Sequence, residues 1–215
     1  MATEAFHLRG CGTDCLCAAR LVLEPVHLPG DIPALLGPVA EVVHMEPPPR
    51  DPQKATHEAA HCAAAHALGL PVMDVRIEPM PLASIDYRGA SPAACAAVAL
   101  AGPHGERWRQ RHVFRPYDVD VLELIRAVKD ARFGACDDCR AIMALIRELG
   151  AGAPDAEYLR RYREIEAATI EMIQTPRVWR AVSDLAEQLM IRGEITGDDA
   201  HDIMERHLPH GSLNF

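Results

Sequence analysis

The feature that most constrains the fold is an alanine-rich segment that follows four prolines in residues 46–52. Alanine has the highest helix propensity, and its small side chain lets a neighbouring helix approach closely. The prolines exclude a regular helix before the segment, while Gly69 and Pro71 are a stop signal after it. The sequence therefore predicts a buried helix that begins just after Pro52 and runs to about Leu68.

This predicted helix carries the pattern His57-Glu58-x-x-His61. Histidines four residues apart lie on one face of a helix, because a turn takes about 3.6 residues. Two imidazoles placed in this way can bind one zinc ion, and Glu58 can reach a water at the open coordination position. A surface helix can carry the same pattern by chance, but the residues beside this motif are small and apolar rather than solvated.

A hydrolytic zinc ion needs three protein ligands and one open position, so the chain must supply a third ligand. His66 and Cys62 belong to the same predicted helix but point away from the face that carries the motif. The remaining candidates are Glu106, on a later predicted helix, and Asp137 or Asp138, at the start of another. The residue types alone do not rank these three carboxylates.

The composition limits the class of protein and its setting. Aromatic residues make up 5% of the 215 residues, and many of the 49% that are hydrophobic are alanine, which favours packed helices over a sandwich of strands. The 22 basic and 31 acidic residues give a net charge of −9, which argues against a nucleic-acid partner. With no apolar run of about 18 residues and no signal-peptide pattern, no membrane partner is expected. Seven cysteines without an export signal are typical of reduced thiols, so a cytoplasmic location is expected.

The remaining patterns predict a mainly α (α+β) fold with a small β-sheet. Apolar and charged residues alternate over residues 72–78, as in a β-strand, and an edge strand is expected at residues 85–87. The next helix begins at Pro92 and is expected to be interrupted at Gly102 and Pro103. Apolar periodicity predicts further helices over 118–133, 137–149 and 155–174, then from 176 and from 196 or 198.

The first 50 residues are the least informative part of the chain. We interpret residues 1–50 as an N-terminal extension of unknown role and residues 51–215 as one helical domain. Within the extension, Cys11, Cys15 and Cys17 are either a metal-binding knuckle or a loop of small residues that carry thiols. Zinc sites usually need paired Cys-x-x-Cys or Cys-x-x-His units, which favours the loop.

A second group of cysteines flanks the two candidate aspartates. Cys136 and Cys139 have the spacing of half a zinc knuckle or of a redox pair. If an aspartate between them binds the metal, the two cysteines become packing residues near the site. We favour the packing interpretation.

Five segments within residues 54–208 follow one another in the order found in a known family. His57-Glu-Ala-Ala-His61 matches a family helix that reads histidine–glutamate–alanine–glycine–histidine, with Ala60 in place of glycine. Four later segments match in order. The family strand that follows its histidine helix is matched by Val75-Arg-Ile-Glu-Pro79, and the family segment leucine–glycine–glycine–arginine–alanine–alanine–glutamate by Leu100-Ala-Gly-Pro-His-Gly-Glu106. The family segment glycine–alanine–serine–asparagine–aspartate is matched by Gly134-Ala-Cys-Asp-Asp138, and its closing helices by residues 185–200. The chain thus resembles the peptidase domain of the FtsH-type ATP-dependent zinc metalloproteases.

The resemblance implies a fold, a cofactor and a reaction. It implies a helical bundle with a small sheet beside the helix of the histidine motif, and a zinc ion held by His57 and His61. The third ligand of the family falls in register on Asp138, with Asp137 one residue away and Glu106 as a supporting carboxylate. The implied activity is that of a zinc metallopeptidase that hydrolyses peptide bonds with a zinc-activated water, with Glu58 as general base.

The chain also departs from that family, which leaves an alternative function open. The chain shows no counterpart of the family's ATPase module or membrane helices, and the family pattern has no counterpart of residues 1–50. An ATP-independent endopeptidase is therefore expected. Its partner would be a peptide or an unfolded protein, and a homo-oligomer is compatible with the resemblance. The alternative is a peptidase-like scaffold with little or no activity that binds a partner protein or peptide.

Overall fold

The computed structural model describes residues 50–111, 115–131 and 136–213. Within these ranges the chain forms seven helices and three strands, so the mainly helical fold with a small sheet is confirmed. The helices are α1 (Pro52–Ala67), α2 (Pro92–Arg109), α3 (Asp118–Ala131), α4 (Asp137–Leu149), α5 (Asp155–Gln174), α6 (Pro176–Arg192) and α7 (Gly197–Glu205), and the strands are β1 (Val72–Arg76), β2 (Leu82–Ile85) and β3 (Glu194–Thr196). The N-terminal cysteines Cys11, Cys15 and Cys17 lie outside the described residues. The interpretations of the N-terminal extension therefore stay predictions.

Helix α1 lies at the centre of the fold, as the alanine-rich segment predicts. It begins at Pro52, where the Asp51 carboxylate caps it by accepting a hydrogen bond of 2.8 Å from the Gln53 amide, and it ends at Ala67. Its alanines are almost all fully buried, and α2 and α6 pack on either side of it. Because alanine adds only a methyl group, these helices approach α1 closely.

Helix α2 is continuous, so the predicted interruption at Gly102 and Pro103 is wrong. It begins after Ser91, whose hydroxyl accepts a hydrogen bond of 3.1 Å from the Ala94 amide, and continues through Pro103 to Arg109. Proline removes one helical hydrogen bond, but packing against α1, α4 and α5 keeps the two halves in line. Tertiary contacts therefore override the local breaker signal.

The sheet is antiparallel, with the strand order β2-β1-β3. Strand β1 confirms the alternation over residues 72–78, although it ends at Arg76. The edge strand β2 lies three residues earlier than expected, and β3 was not predicted. Val75 pairs with Ala83 on one side and with Ile195 on the other, which ties the end of the chain to the strand that follows α1.

Helix α2 separates two groups of buried apolar residues. One group joins α1, the sheet, α6 and α7, and the other joins the outer face of α2 to α3, α4 and α5. Because α2 packs against both α1 and α4, it brings the histidine motif of α1 near the first residues of α4. Among the described residues, no helix combines the length and the apolar character needed to cross a membrane.

Candidate metal centre

The two histidines of the motif point the same ring nitrogen at one place. Their Nε2 atoms lie 3.0 Å apart, and the rings meet edge to face. Each Nδ1 has its own acceptor: the Val98 carbonyl oxygen lies 2.7 Å from His61 Nδ1, and Glu106 Oε1 lies 2.7 Å from His57 Nδ1. A neutral ring that donates from Nδ1 keeps its lone pair on Nε2, so both lone pairs are directed at the same position.

Asp137, the first residue of α4, completes a group of three ligand atoms with the two histidines. Asp137 Oδ2 lies 3.0 Å from His57 Nε2, and Oδ1 lies 3.6 Å from His61 Nε2. Zinc bonds of about 2.0–2.2 Å in a tetrahedron place the ligand atoms roughly 3.3–3.6 Å apart. The observed separations are close to that spacing, so the three side chains fit one zinc ion.

Asp138, the third ligand expected from the resemblance, lies in a different environment. Its Oδ1 accepts a hydrogen bond of 2.7 Å from the Tyr162 hydroxyl, and it is not among the atoms that converge on the two histidines. Successive residues on a helix are rotated by about 100°, so only one of the two aspartates can face α1. The structure therefore brings Asp137 rather than Asp138 to the two histidines, and the identity of the third ligand stays a prediction.

Glu58 is buried beside the histidines, with 7% of its surface exposed. Burial raises the pKa of this carboxyl, whereas the charges of His61 and His57 and the backbone N–H of Ala83 oppose the rise. A carboxylate with a raised pKa is a better proton acceptor than an exposed one. The interaction with Ala83 also shows that β2 borders this carboxylate.

Glu106 lies on α2 and contacts His57 rather than the place where the ligand atoms converge. One of its oxygens contacts His57 Nδ1, and the other accepts a hydrogen bond of 3.0 Å from Gln53 Nε2. Ligand histidines in metal sites commonly donate their second N–H to a carboxylate, which fixes the ring and makes it a stronger ligand. Glu106 therefore positions His57.

Gly102 is a site residue that the sequence interpretation missed. A Cβ at this position would lie 2.4 Å from His61 Nε2 and 2.7 Å from His57 Nε2, so any larger residue would occupy the space between the rings and α2. The sequence signal was present but was interpreted as a helix break, because Gly102 precedes Pro103. Its place in the structure shows that it leaves room for the two imidazoles.

The site carries more negative than positive charge. The two imidazoles have three carboxylates around them, those of Glu58, Glu106 and Asp137. Burial lowers the pKa of His57, but the hydrogen bonds with Asp137 and Glu106 outweigh it and raise that pKa well above its ordinary value. The surplus of carboxylates favours a cation at this position, either a proton or a divalent metal ion.

Cys136 and Cys139 hold the start of α4, which carries Asp137. Cys136 is the N-cap, and its sulfur accepts a hydrogen bond of 3.2 Å from the Cys139 amide. The two sulfur atoms lie 2.6 Å apart. As the N-cap, Cys136 contributes to fixing the residue at which α4 begins, and the packing interpretation of the two cysteines stays a prediction.

A cleft of about 300 Å³ lies between α1, the end of α2 and α6. Trp179, which meets Trp108 edge to face, forms part of its wall together with Thr56, Arg109 and Glu187. None of the three converging side chains lines it. The cleft is therefore separate from the candidate metal centre.

Comparison with known proteins adds no family assignment. No protein-family model matches the chain, and no curated protein matches it in sequence. The resemblance to the FtsH-type peptidase domain therefore stays a prediction that rests on the five segments.

Proposed function

We propose that this protein is a zinc-dependent metallopeptidase. The observation that carries the proposal is the convergence of His57 Nε2, His61 Nε2 and the Asp137 carboxylate beside the buried carboxyl of Glu58. Two imidazoles and one carboxylate are a ligand set that zinc accepts, and three protein ligands leave a fourth position open for reaction. The resemblance of the five sequence segments to a family of zinc proteases supports the same class of reaction.

The residues of the chain have separate roles in this proposal. A zinc ion held by His57, His61 and Asp137 would supply an acidified water and a Lewis acid for the scissile carbonyl. Glu58 would accept a proton from the water and return it to the leaving amine, a task for which its raised pKa is suited. Glu106 and the Val98 carbonyl keep His57 and His61 in the orientation in which Nε2 is the ligand atom.

Strand β2 is the element best placed to bind the substrate. Among the described residues it pairs only with β1, so its other edge is available for hydrogen bonds with an extended peptide. The interaction between Ala83 and Glu58 supports a position of this strand beside the Glu58 carboxylate. Peptides commonly bind to sheet edges through backbone hydrogen bonds. We propose that an unfolded segment binds along β2 with its scissile bond near Glu58.

The test is the variant Glu58→Gln in the zinc-loaded protein. Glutamine keeps the size of the side chain but cannot accept the proton, so cleavage of casein or of a quenched peptide should fall at least about 10²-fold. The zinc content should stay equal to that of the wild type, because Glu58 is not a ligand. Asp137→Asn is the companion variant and should lose both zinc and cleavage. Equal cleavage by Glu58→Gln and the wild type would refute the proposal.

A second candidate is a scaffold that binds a protein or peptide without cleaving it. The cleft between α1 and α6 favours it, because Trp179 forms part of its wall and none of the three converging side chains does. In this case the wild type and Glu58→Gln would bind an unfolded protein equally and neither would cleave it. Trp179→Ala, with Trp108 unchanged, would then weaken binding.

A further inference from the structure

A second group of metal-ligating side chains lies at the other end of α1. His66, near the end of that helix, meets His201 and Glu205 of α7, and one ligand atom of each lies within 4.8 Å of the others. A fourth side chain, His210, lies against them. Nothing in the proposed peptidase mechanism uses these residues.

The spacing of the His66 and His201 imidazoles matches that of two histidines bound to one metal ion. The ring centroid of His66 lies 5.1 Å from that of His201 and 5.1 Å from that of His210. The centroids of His201 and His210 are 5.7 Å apart. Zinc–nitrogen bonds of about 2.0–2.1 Å at tetrahedral angles place ring centroids roughly 5 Å apart. The rings are tilted at 59–70° rather than stacked, as expected for edges that point at a common position.

His66 is the buried centre of this group. Its Nε2 lies 3.1 Å from Glu205 Oε2 and 3.0 Å from the Leu208 carbonyl oxygen. One N–H cannot satisfy two acceptors fully, whereas a cation in place of that proton is attracted by the carboxylate and by the carbonyl oxygen. The 3.1 Å separation of His66 and Glu205 is close to the distance between two ligands of one zinc ion.

We propose that His66, His201 and Glu205 form a second metal site that binds a divalent transition-metal ion such as Zn²⁺. A set of two imidazoles and one carboxylate favours zinc, nickel or copper over magnesium or calcium, which prefer oxygen ligands. His210 stands beside the site, and its backbone N–H donates a hydrogen bond of 2.9 Å to Glu205 Oε2.

The site connects the end of α1 with α7 and with the segment that follows it. That segment already lies on α1, because the amides of Gly211 and Leu213 donate to the carbonyls of His66 and Ala67, both at 2.9 Å. A metal ion would add bonds between the same elements. Since α1 also carries His57 and His61, the second ion stabilises the helix on which the first site is built.

The experiment counts zinc in the full chain, made metal-free and then dialysed against Zn²⁺. His201 is exposed, so His201→Ala should fold as the wild type does, and Glu205→Gln keeps a hydrogen-bond acceptor for His210. Each variant should bind one zinc per chain fewer than the wild type, and zinc should raise its melting temperature less. Asp202→Asn, an exposed neighbour on α7 outside the group, is the matched control and should keep the wild-type count.

The decisive value is the difference in zinc ions per chain between variant and wild type, because this difference does not depend on the first site. If His57 and His61 bind no metal, the wild type binds one zinc fewer but His201→Ala still loses one. A metal held by the N-terminal cysteines would be unaffected by either variant. An unchanged zinc count and an unchanged thermal shift in both His201→Ala and Glu205→Gln would overturn the proposal.

Discussion

Ala60 on α1 faces Gly105 on α2 so closely that a Cβ at Gly105 would lie 2.5 Å from the Ala60 Cβ. The contact therefore has room for one methyl group and not for two. In the family pattern that these segments resemble, glycine stands at the position of Ala60 and alanine at that of Gly105. The exchange leaves the summed size of the pair unchanged.

Gly105→Ala should therefore destabilise the protein. Overpacking a tight contact costs about 1–3 kcal/mol, and urea unfolding at equilibrium measures the loss. Adding Ala60→Gly should return most of the lost stability, because it removes the opposing methyl group. If the two changes were additive, with no recovery in the double variant, the contact would not have the tight geometry described.

Replacing Asp137 and Asp138 by asparagine, one at a time, should separate their roles. Asp137→Asn removes a ligand charge from the two histidines and should abolish stoichiometric zinc binding at this site. Asp138→Asn keeps an oxygen that can accept the hydrogen bond of Tyr162 and should retain zinc. The measurement is zinc content after dialysis. Retention by Asp137→Asn with loss by Asp138→Asn would restore the register expected from the sequence.

Glu106→Gln should weaken zinc binding without abolishing it. The side chain contacts His57 Nδ1 rather than the converging nitrogen, so its charge acts through the imidazole. Loss of such a supporting carboxylate typically costs about 10–100-fold in metal affinity. Competition with a chelator of known affinity measures the change, with the exposed Glu123→Gln of α3 as the matched control. Equal affinities in the two variants would exclude the positioning role.

Gly102→Ala should damage the metal centre more than the fold. The new methyl group would lie within 2.7 Å of both Nε2 atoms and would push the imidazoles apart. We expect loss of zinc and of cleavage, with helix content by circular dichroism close to that of the wild type. Gly152→Ala is the control, because nothing lies within 4 Å of a Cβ there. Normal zinc binding by Gly102→Ala would mean that the rings have more space than the structure gives them.

Local signals predicted α1, because prolines, alanines and a terminal glycine act within the segment itself. The sequence does not show which of Asp137 and Asp138 faces α1, because that depends on the residue at which α4 begins. Cys136 caps that helix. Gly102 and β3 were missed for a related reason, since a close approach between helices and a three-residue strand depend on partners distant in the sequence.

Zinc binding at the first site should release protons and strengthen as the pH rises. Burial lowers the pKa of His57, but Asp137 and Glu106 raise it above its ordinary value, so the metal-free protein keeps a proton there at neutral pH. Zinc needs the neutral imidazole and must displace that proton, so its apparent affinity should change about tenfold per pH unit for each proton released. The apparent zinc affinity should rise with pH below the raised pKa of His57. Above that pKa the imidazole has already lost its proton, and this dependence disappears.

Titration calorimetry in buffers of different ionisation enthalpy counts the protons released. Glu106→Gln removes one of the two carboxylates that raise the pKa of His57, so it should release fewer protons at neutral pH and show a shallower pH dependence. The Glu123→Gln control should behave as the wild type. Affinity that is independent of pH between about 6 and 8 would show that His57 carries no proton in the metal-free protein, and the surplus of carboxylates would then have to be balanced by another cation.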